Sequence, residues 1–142
     1  MRNGIYDLET LRKAYNRGDH LKYLFFWGHT PPADGHINES CFSQWWMDRF
    51  TVDGTEYTCA EQFMMAEKAR MFGDGEMLSM ILKARHPKEM KAYGRAVKNF
   101  DQDKWDGACY EIVKRGNLAK FSQNPELWDY LKSTKRRILV EA

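Results

Sequence analysis

The dipeptide Asp53-Gly54 constrains this chain more than any other local signal. Both residues accept the positive φ angles of a type I′ turn, and residues 49–52 and 55–58 have the character of short strands. A hairpin is predicted, and it runs straight into a helix. Thr58 followed by Glu61 has the spacing of a reciprocal N-terminal cap, and Gly73 after Phe72 supplies a left-handed stop. At ~100° per residue, Glu61, Met65, Lys68 and Phe72 share one face of that helix, with Glu61 and Lys68 about 10 Å apart along the axis. Phe63, Met64 and Met71 form an adjoining apolar stripe for the core. A rigid turn just ahead of Thr58 would fix where Glu61 points. A lysine beside Met and aromatic side chains loses hydration, which lowers its pKa toward the nucleophilic amine form. The blander alternatives are a capping role for Glu61 and a solvated Lys68.

Elsewhere the chain reads mainly as helix. Asp7 can cap a helix to about Arg17, with Leu8, Leu11, Ala14 and Tyr15 as its buried stripe and Gly18 as its stop. Asp74 can cap a helix to about Ala84, with Met77, Leu78, Ile81 and Leu82 inward. Pro87 suits the first turn of a helix to about Val97, and Pro125 one to about Leu131. Between them Asp101 or Asp103 starts a helix with Trp105, Ala108, Ile112 and Val113 inward, ending at Asn117 or Lys120. Residues 23–27 and 138–141 read as short strands, and Pro31-Pro32 marks a loop. The sum is a mainly α (α+β) single domain with a small β-hairpin and short edge strands, too few for a βαβ architecture. Residues 1–20 read as an N-terminal helical extension and 21–142 as the domain proper.

Hydrophobic residues make up 43% of the 142 and charged residues 30%, which favours one ordered domain over disorder. A net charge of +2 is too small for a nucleic-acid coat protein, although a local basic patch could still meet a phosphate. Cys41, Cys59 and Cys109 are widely spaced, and His20, His29, His36 and His86 show no metal-binding pattern, so neither a disulfide framework nor a metal site is expected. Residues 1–10 carry Arg2, Asp7 and Glu9 with no apolar run, so a cytoplasmic location without a membrane partner is expected. No Gly-x-Gly-x-x-Gly or Walker loop is present, so any nucleotide must be held by side chains. Aromatic residues reach 14%, and the clusters at 25–27 and 42–46 adjoin loops where a flat ring could stack on a base. Gly94 inside a helix predicts close approach by another backbone or a ligand. Arg95 beside it could grip a phosphate, or make a surface ion pair.

Taken together, Phe26-Trp27-Gly28, Phe42-Ser43-Gln44-Trp45, Val52-Asp53-Gly54, Ala60-Glu61-Gln62-Phe63 and Lys68 resemble the YbiA-like, or NADAR, family of N-glycosidases. The resemblance continues through Gly94-Arg95, Trp105, Lys120-Phe121, Leu131 with Thr134, and Leu139-Val140-Glu141, covering about residues 23–142. It implies a YbiA-like helical fold and an enzyme, without cofactor, that hydrolyses a ribose C1–N bond. The implied partners are phosphorylated ribosyl or ADP-ribosyl substrates: riboflavin-pathway ribosylamines, or ADP-ribosylated guanine in nucleic acid. Lys68 matches the family lysine, with attack through a Schiff base as the implied mechanism, and Glu61 the family glutamate as proton carrier. Phe26, Trp27, Gly28, Ser43, Gln44, Trp45, Gly94, Arg95 and Glu141 are the implied substrate-binding residues. Gln44 and Trp45 stand where many members have Asn and Phe. The family pattern also continues beyond Glu141 into a segment with an Asp and a Trp-Gly-x-Gly stretch, whereas this sequence ends at Ala142. If that segment completes the pocket, the alternative expectations are a catalytically impaired ADP-ribose or nucleotide-binding module, or a partner-dependent interaction protein.

Overall fold

The computed structural model describes residues 5 and 7–142. Its centre is helix α2 (Ala60–Met71), in which Ala60, Glu61, Gln62, Phe63, Met65, Ala66 and Ala69 are all buried. A helix shielded on most of its circumference must be enclosed by other elements. Strands β2 (Phe50–Val52) and β3 (Thr55–Tyr57) precede it as an antiparallel hairpin with Phe50 opposite Tyr57. The turn is type I′ as its sequence requires, with φ of 49° at Asp53 and 81° at Gly54. The Phe50 and Tyr57 rings stack at 5.8 Å, and Phe63 meets Tyr57 edge-on at 5.2 Å, so the hairpin grips the first turns of α2.

Helices α3 (Gly75–Lys83), α4 (Pro87–Arg95) and α5 (Gln102–Gln123) pack around α2. Two glycines permit this. A Cβ on Gly94 would lie 1.9 Å from Met65 Sδ, and one on Gly116 would lie 2.6 Å from Phe63 Cδ1. The close approach expected at Gly94 is thus made by a side chain of α2, neither a backbone nor a ligand. Asp74 caps α3 through Met77 N–H at 3.0 Å and also accepts from Lys98 N–H at 2.9 Å, tying α3 to the end of α4. These two bonds, the Lys98 one foremost, hold its carboxyl below the usual range.

A second core lies against the far half of α5. Strand β1 (Tyr23–Phe26) pairs in parallel with β4 (Ile138–Glu141), Phe26 opposite Glu141. They cover Cys41, Phe42, Trp46, Phe121 and Leu127, together with a 3₁₀ turn (Glu39–Phe42) and helix α6 (Pro125–Ser133). Lys120 is buried here with no exposed surface. Its ammonium donates to the carbonyls of Cys41 at 2.6 Å and Ser43 at 2.9 Å, 79 and 77 residues away in sequence. Burial pushes its pKa down to about 8. Among the described residues no helix is long and apolar enough to cross a membrane.

Four expectations change. Helix α1 (Leu8–Asn16) has its Asp7 cap, but only Ala14 of the expected stripe is buried, while Leu8 and Tyr15 stay exposed, since among the described residues no other element packs extensively against α1. In α2, Met71 of the expected core stripe is 40% exposed, while Met65 is buried against Gly94. In α3, Leu82 also lies at the surface. Helix α5 runs past Lys120 to Gln123, because Phe121 must complete the second core.

Gly116→Val forces a branched side chain against the buried Phe63 ring, an overpacking cost of ~1–3 kcal/mol that urea titration will read. The Lys120→Met variant gives a pH signature. Lys120 has a folded pKa of about 8 against an ordinary value of 10.5, so in that window the unfolded chain binds the proton and the folded chain does not. Wild-type stability relative to Lys120→Met therefore rises between these pH values, and a flat difference would contradict the burial of the charge.

Candidate active site

Helix α2 presents Glu61 in its first turn and Lys68 in its last. The predicted cap between Thr58 and Glu61 is not made. Cys59 is the N-cap residue, and Gln62 reaches back instead, its Oε1 accepting from Thr58 N–H at 2.8 Å and Thr58 Oγ1 at 3.2 Å. Gln62 can do this because its Nε2 is anchored on the Ile81 carbonyl at 3.0 Å. Glu61 is relieved of capping, and its backbone N–H donates to the Gln44 carbonyl at 3.0 Å. Its side chain is 6% exposed. Burial raises its pKa, the positive charges of Lys91, Lys68 and Arg95 pull it back, and Glu141 adds to the rise.

Lys68 moves the opposite way. Partial burial and the nearby Arg95 charge lower its pKa, while Glu61 opposes them. Its Nζ rests 4.4 Å from the Phe100 ring centroid and 5.7 Å from that of Trp105. Such ring faces favour the ammonium by ~0.5–1 kcal/mol at exposed sites, so the aromatic rest position partly restores the charge that desolvation disfavours. The acid and the amine on one helix face are thus shifted toward each other, the carboxyl upward and the amine downward.

Other segments carry the remaining candidate residues, and neither of the cavities they line includes Glu61 or Lys68 in its wall. Gln44 pairs its side-chain amide reciprocally with Asn117, Nε2 to Oδ1 at 3.1 Å and Nδ2 to Oε1 at 3.0 Å, which pins the loop that roofs Glu61. Ser43 accepts from Trp45 N–H at 3.2 Å through its hydroxyl and turns the chain there. The Trp45 ring meets His29 at 5.4 Å and His86 at 6.3 Å, both edge-on, with Lys91 Nζ 5.9 Å from its centroid. His86 is held as the cap of α4, its Nδ1 accepting from Lys88 N–H at 3.0 Å. Phe26, Trp27 and Gly28 line a small cleft of about 230 Å³, and Trp27 is 82% exposed. Phe26 and Gln44 also border a groove of about 410 Å³ walled by Phe42, Phe121, Trp128 and Leu139. Among the described residues no three His, Cys, Asp or Glu side chains gather where a metal ion could be held.

The sequence model of the NADAR domain matches residues 25–142. The chain belongs to the NADAR domain family. It is 41% identical over 127 residues to a protein of Acanthamoeba polyphaga mimivirus named as an N-glycosidase, covering 85% of this chain and 72% of that one. It is 35% identical over 89 residues to Protein irg-1 of Caenorhabditis elegans, covering 61% of this chain and 42% of the relative. The NMR structure of the E. coli protein YbiA shares the fold, with a TM-score of 0.69 at 23% identity over 84% of this chain and 66% of YbiA. The chain thus spans less than half of the nematode relative and about two thirds of YbiA.

Within this NADAR domain, Glu61, Lys68, Arg95, Glu141, Gln44 and Trp45 gather around the start and face of α2. Ser43 and Gly94 serve the fold beside them: Ser43 shapes the loop, and Gly94 admits Met65. Sequence reasoning missed Lys91, Phe100, His86 and Asn117 as neighbours of the site. Lys91 was findable, since it lies one turn before Arg95 on the same helix face.

Competitive acetylation reads the electrostatics directly. Arg95→Met removes a charge that depresses the Lys68 pKa, so Lys68 labels more slowly at a fixed mildly alkaline pH. Glu61→Gln removes the opposing charge, so Lys68 labels faster, and the same sign for both variants would contradict the arrangement.

Proposed function

We propose that the chain is an N-glycosidase, a hydrolase acting on N-glycosyl compounds, that cleaves the C1–N bond of a phosphorylated ribosyl or ADP-ribosyl substrate. The observation that carries this reading is the pairing of Glu61 and Lys68 on one face of α2 with oppositely displaced pKa values. Family membership and the N-glycosidase name of the mimivirus relative support it.

In the proposed reaction the neutral Lys68 amine forms a bond to C1, and the C1–N bond breaks as Glu61 delivers its proton to the departing nitrogen. The Lys68 nitrogen then loses one proton to the Glu61 carboxylate, and as the bond from C1 to the ring oxygen breaks its second proton passes to that oxygen, leaving an open-chain Schiff base. Water adds to that carbon, the C1–Nζ bond breaks, and the sugar leaves as an aldehyde with the lysine regenerated. No electrons change hands, so no oxidant is needed, and one difficult displacement becomes two easier steps. Trp45 is the plate for a base, and Arg95 the grip for a phosphate. Riboflavin-pathway ribosylamines and ADP-ribosylated guanine are the two substrate classes that fit, in a cytoplasmic setting.

Incubation with ADP-ribosylated guanosine under a borohydride trap tests this by intact mass. A sugar-sized adduct on Lys68, absent in Lys68→Ala with a loss of turnover of at least about a hundredfold, is the expected result. Undiminished turnover by Lys68→Ala would rule out lysine chemistry.

A further inference from the structure

Helix α4 carries two cations on the face it turns toward Glu61, Lys91 and, one turn later, Arg95. Neither forms a salt bridge within 4.0 Å among the described residues, as holds for other cations such as Lys83 and Lys114. Their placement is built in. Gly94 lets α4 settle against Met65 of α2, which brings this face up to the reacting pair. Lys91 Nζ lies 5.9 Å from the centroid of the Trp45 ring, and Arg95 lies close enough to Lys68 and Glu61 to move both of their protonation equilibria. A row of cations, Lys91, Arg95 and Lys68, therefore runs beside one buried carboxyl, with Trp45 near one end and Phe100 near the other.

We propose that Lys91 is a substrate-binding residue and, with Arg95, forms a two-armed clamp for an anion bearing two linked phosphates, seated between Trp45 and Lys68. Residues four apart on a helix have Cβ atoms ~5–6 Å apart, a span that two linked phosphates bridge while a single phosphate engages the arms less fully. Arginine supplies a planar fork and lysine a mobile point charge, so the pair can follow an extended anion along the helix. The natural ligand follows from the N-glycosidase reading above, and the clamp makes diphosphate-linked ribosyl compounds better substrates than monophosphates. The anion site itself stands on the placement of α4.

The test uses inorganic pyrophosphate and inorganic phosphate as probes, with binding measured by calorimetry, and turnover followed separately. Wild type is expected to bind pyrophosphate at least about tenfold more tightly than phosphate. Lys91→Met and Arg95→Met should each weaken pyrophosphate about tenfold or more and erase that preference, with unchanged circular dichroism. Lys88→Met, on the same helix, should bind like wild type. Lys68→Ala should keep most pyrophosphate affinity while losing turnover, which separates the clamp from the chemistry. Wild-type-like pyrophosphate affinity in Lys91→Met overturns the proposal, as does wild-type protein that turns over substrate but binds neither anion. Intact pyrophosphate binding with no Lys68-dependent turnover would uphold the clamp and sink the N-glycosidase reading instead.

Discussion

The rest of this molecule depends on how closely two helices approach α2. At Gly94 and Gly116 the missing side chains leave room for Met65 and Phe63, and both contacts are tighter than any Cβ could tolerate. Because interiors are packed to crystal-like density, filling the notch at Gly116 must displace the rigid Phe63 ring or a helix, and filling the one at Gly94 must move the Met65 side chain or a helix. The displacement would be felt at the site, since α4 brings Lys91 and Arg95, and α5 brings Asn117 and Trp105. Core packing and site geometry are one arrangement seen from two sides of α2.

Two lysines with depressed pKa values show how similar electrostatics can serve different ends. Lys120 has no exposed surface and directs its ammonium at two carbonyls, so its bonds are made and its work is to hold the turn that carries Gln44 and Trp45. Among the described residues Lys68 has no such acceptors; it rests on aromatic faces beside Arg95, where the amine can leave its position at little cost. What separates a structural lysine from a reactive one is whether its donors are already satisfied. The same contrast holds for Gln62 and Glu61, since the amide takes the cap and releases the carboxylate.

Much was legible locally. The type I′ turn, the Asp7 and Asp74 caps, the proline starts of α4 and α6, and the mainly helical fold all follow from the φ preferences and hydrogen-bonding habits of residues close in sequence. The failures share a cause. Thr58 and Glu61 have capping-box spacing, but Gln62 wins because Ile81, from another helix, holds its amide. Leu8 and Tyr15 of the stripe on α1 fit helical periodicity yet stay exposed, because periodicity states which residues share a face and not whether anything covers it. Gly94 announced a close contact without naming Met65 as the partner.

By itself the sequence determined that Glu61 and Lys68 would share one side of a helix entered through a rigid turn, since seven residues at helical pitch leave no other arrangement. Tertiary structure alone decided that the acid would be buried, that the amine would lie over Phe100 beside Arg95, and that Lys91 and Trp45 would meet. Those facts turn on residues far apart along the chain, which only the closure of α4, α5 and the Gln44 loop onto α2 brings within electrostatic range.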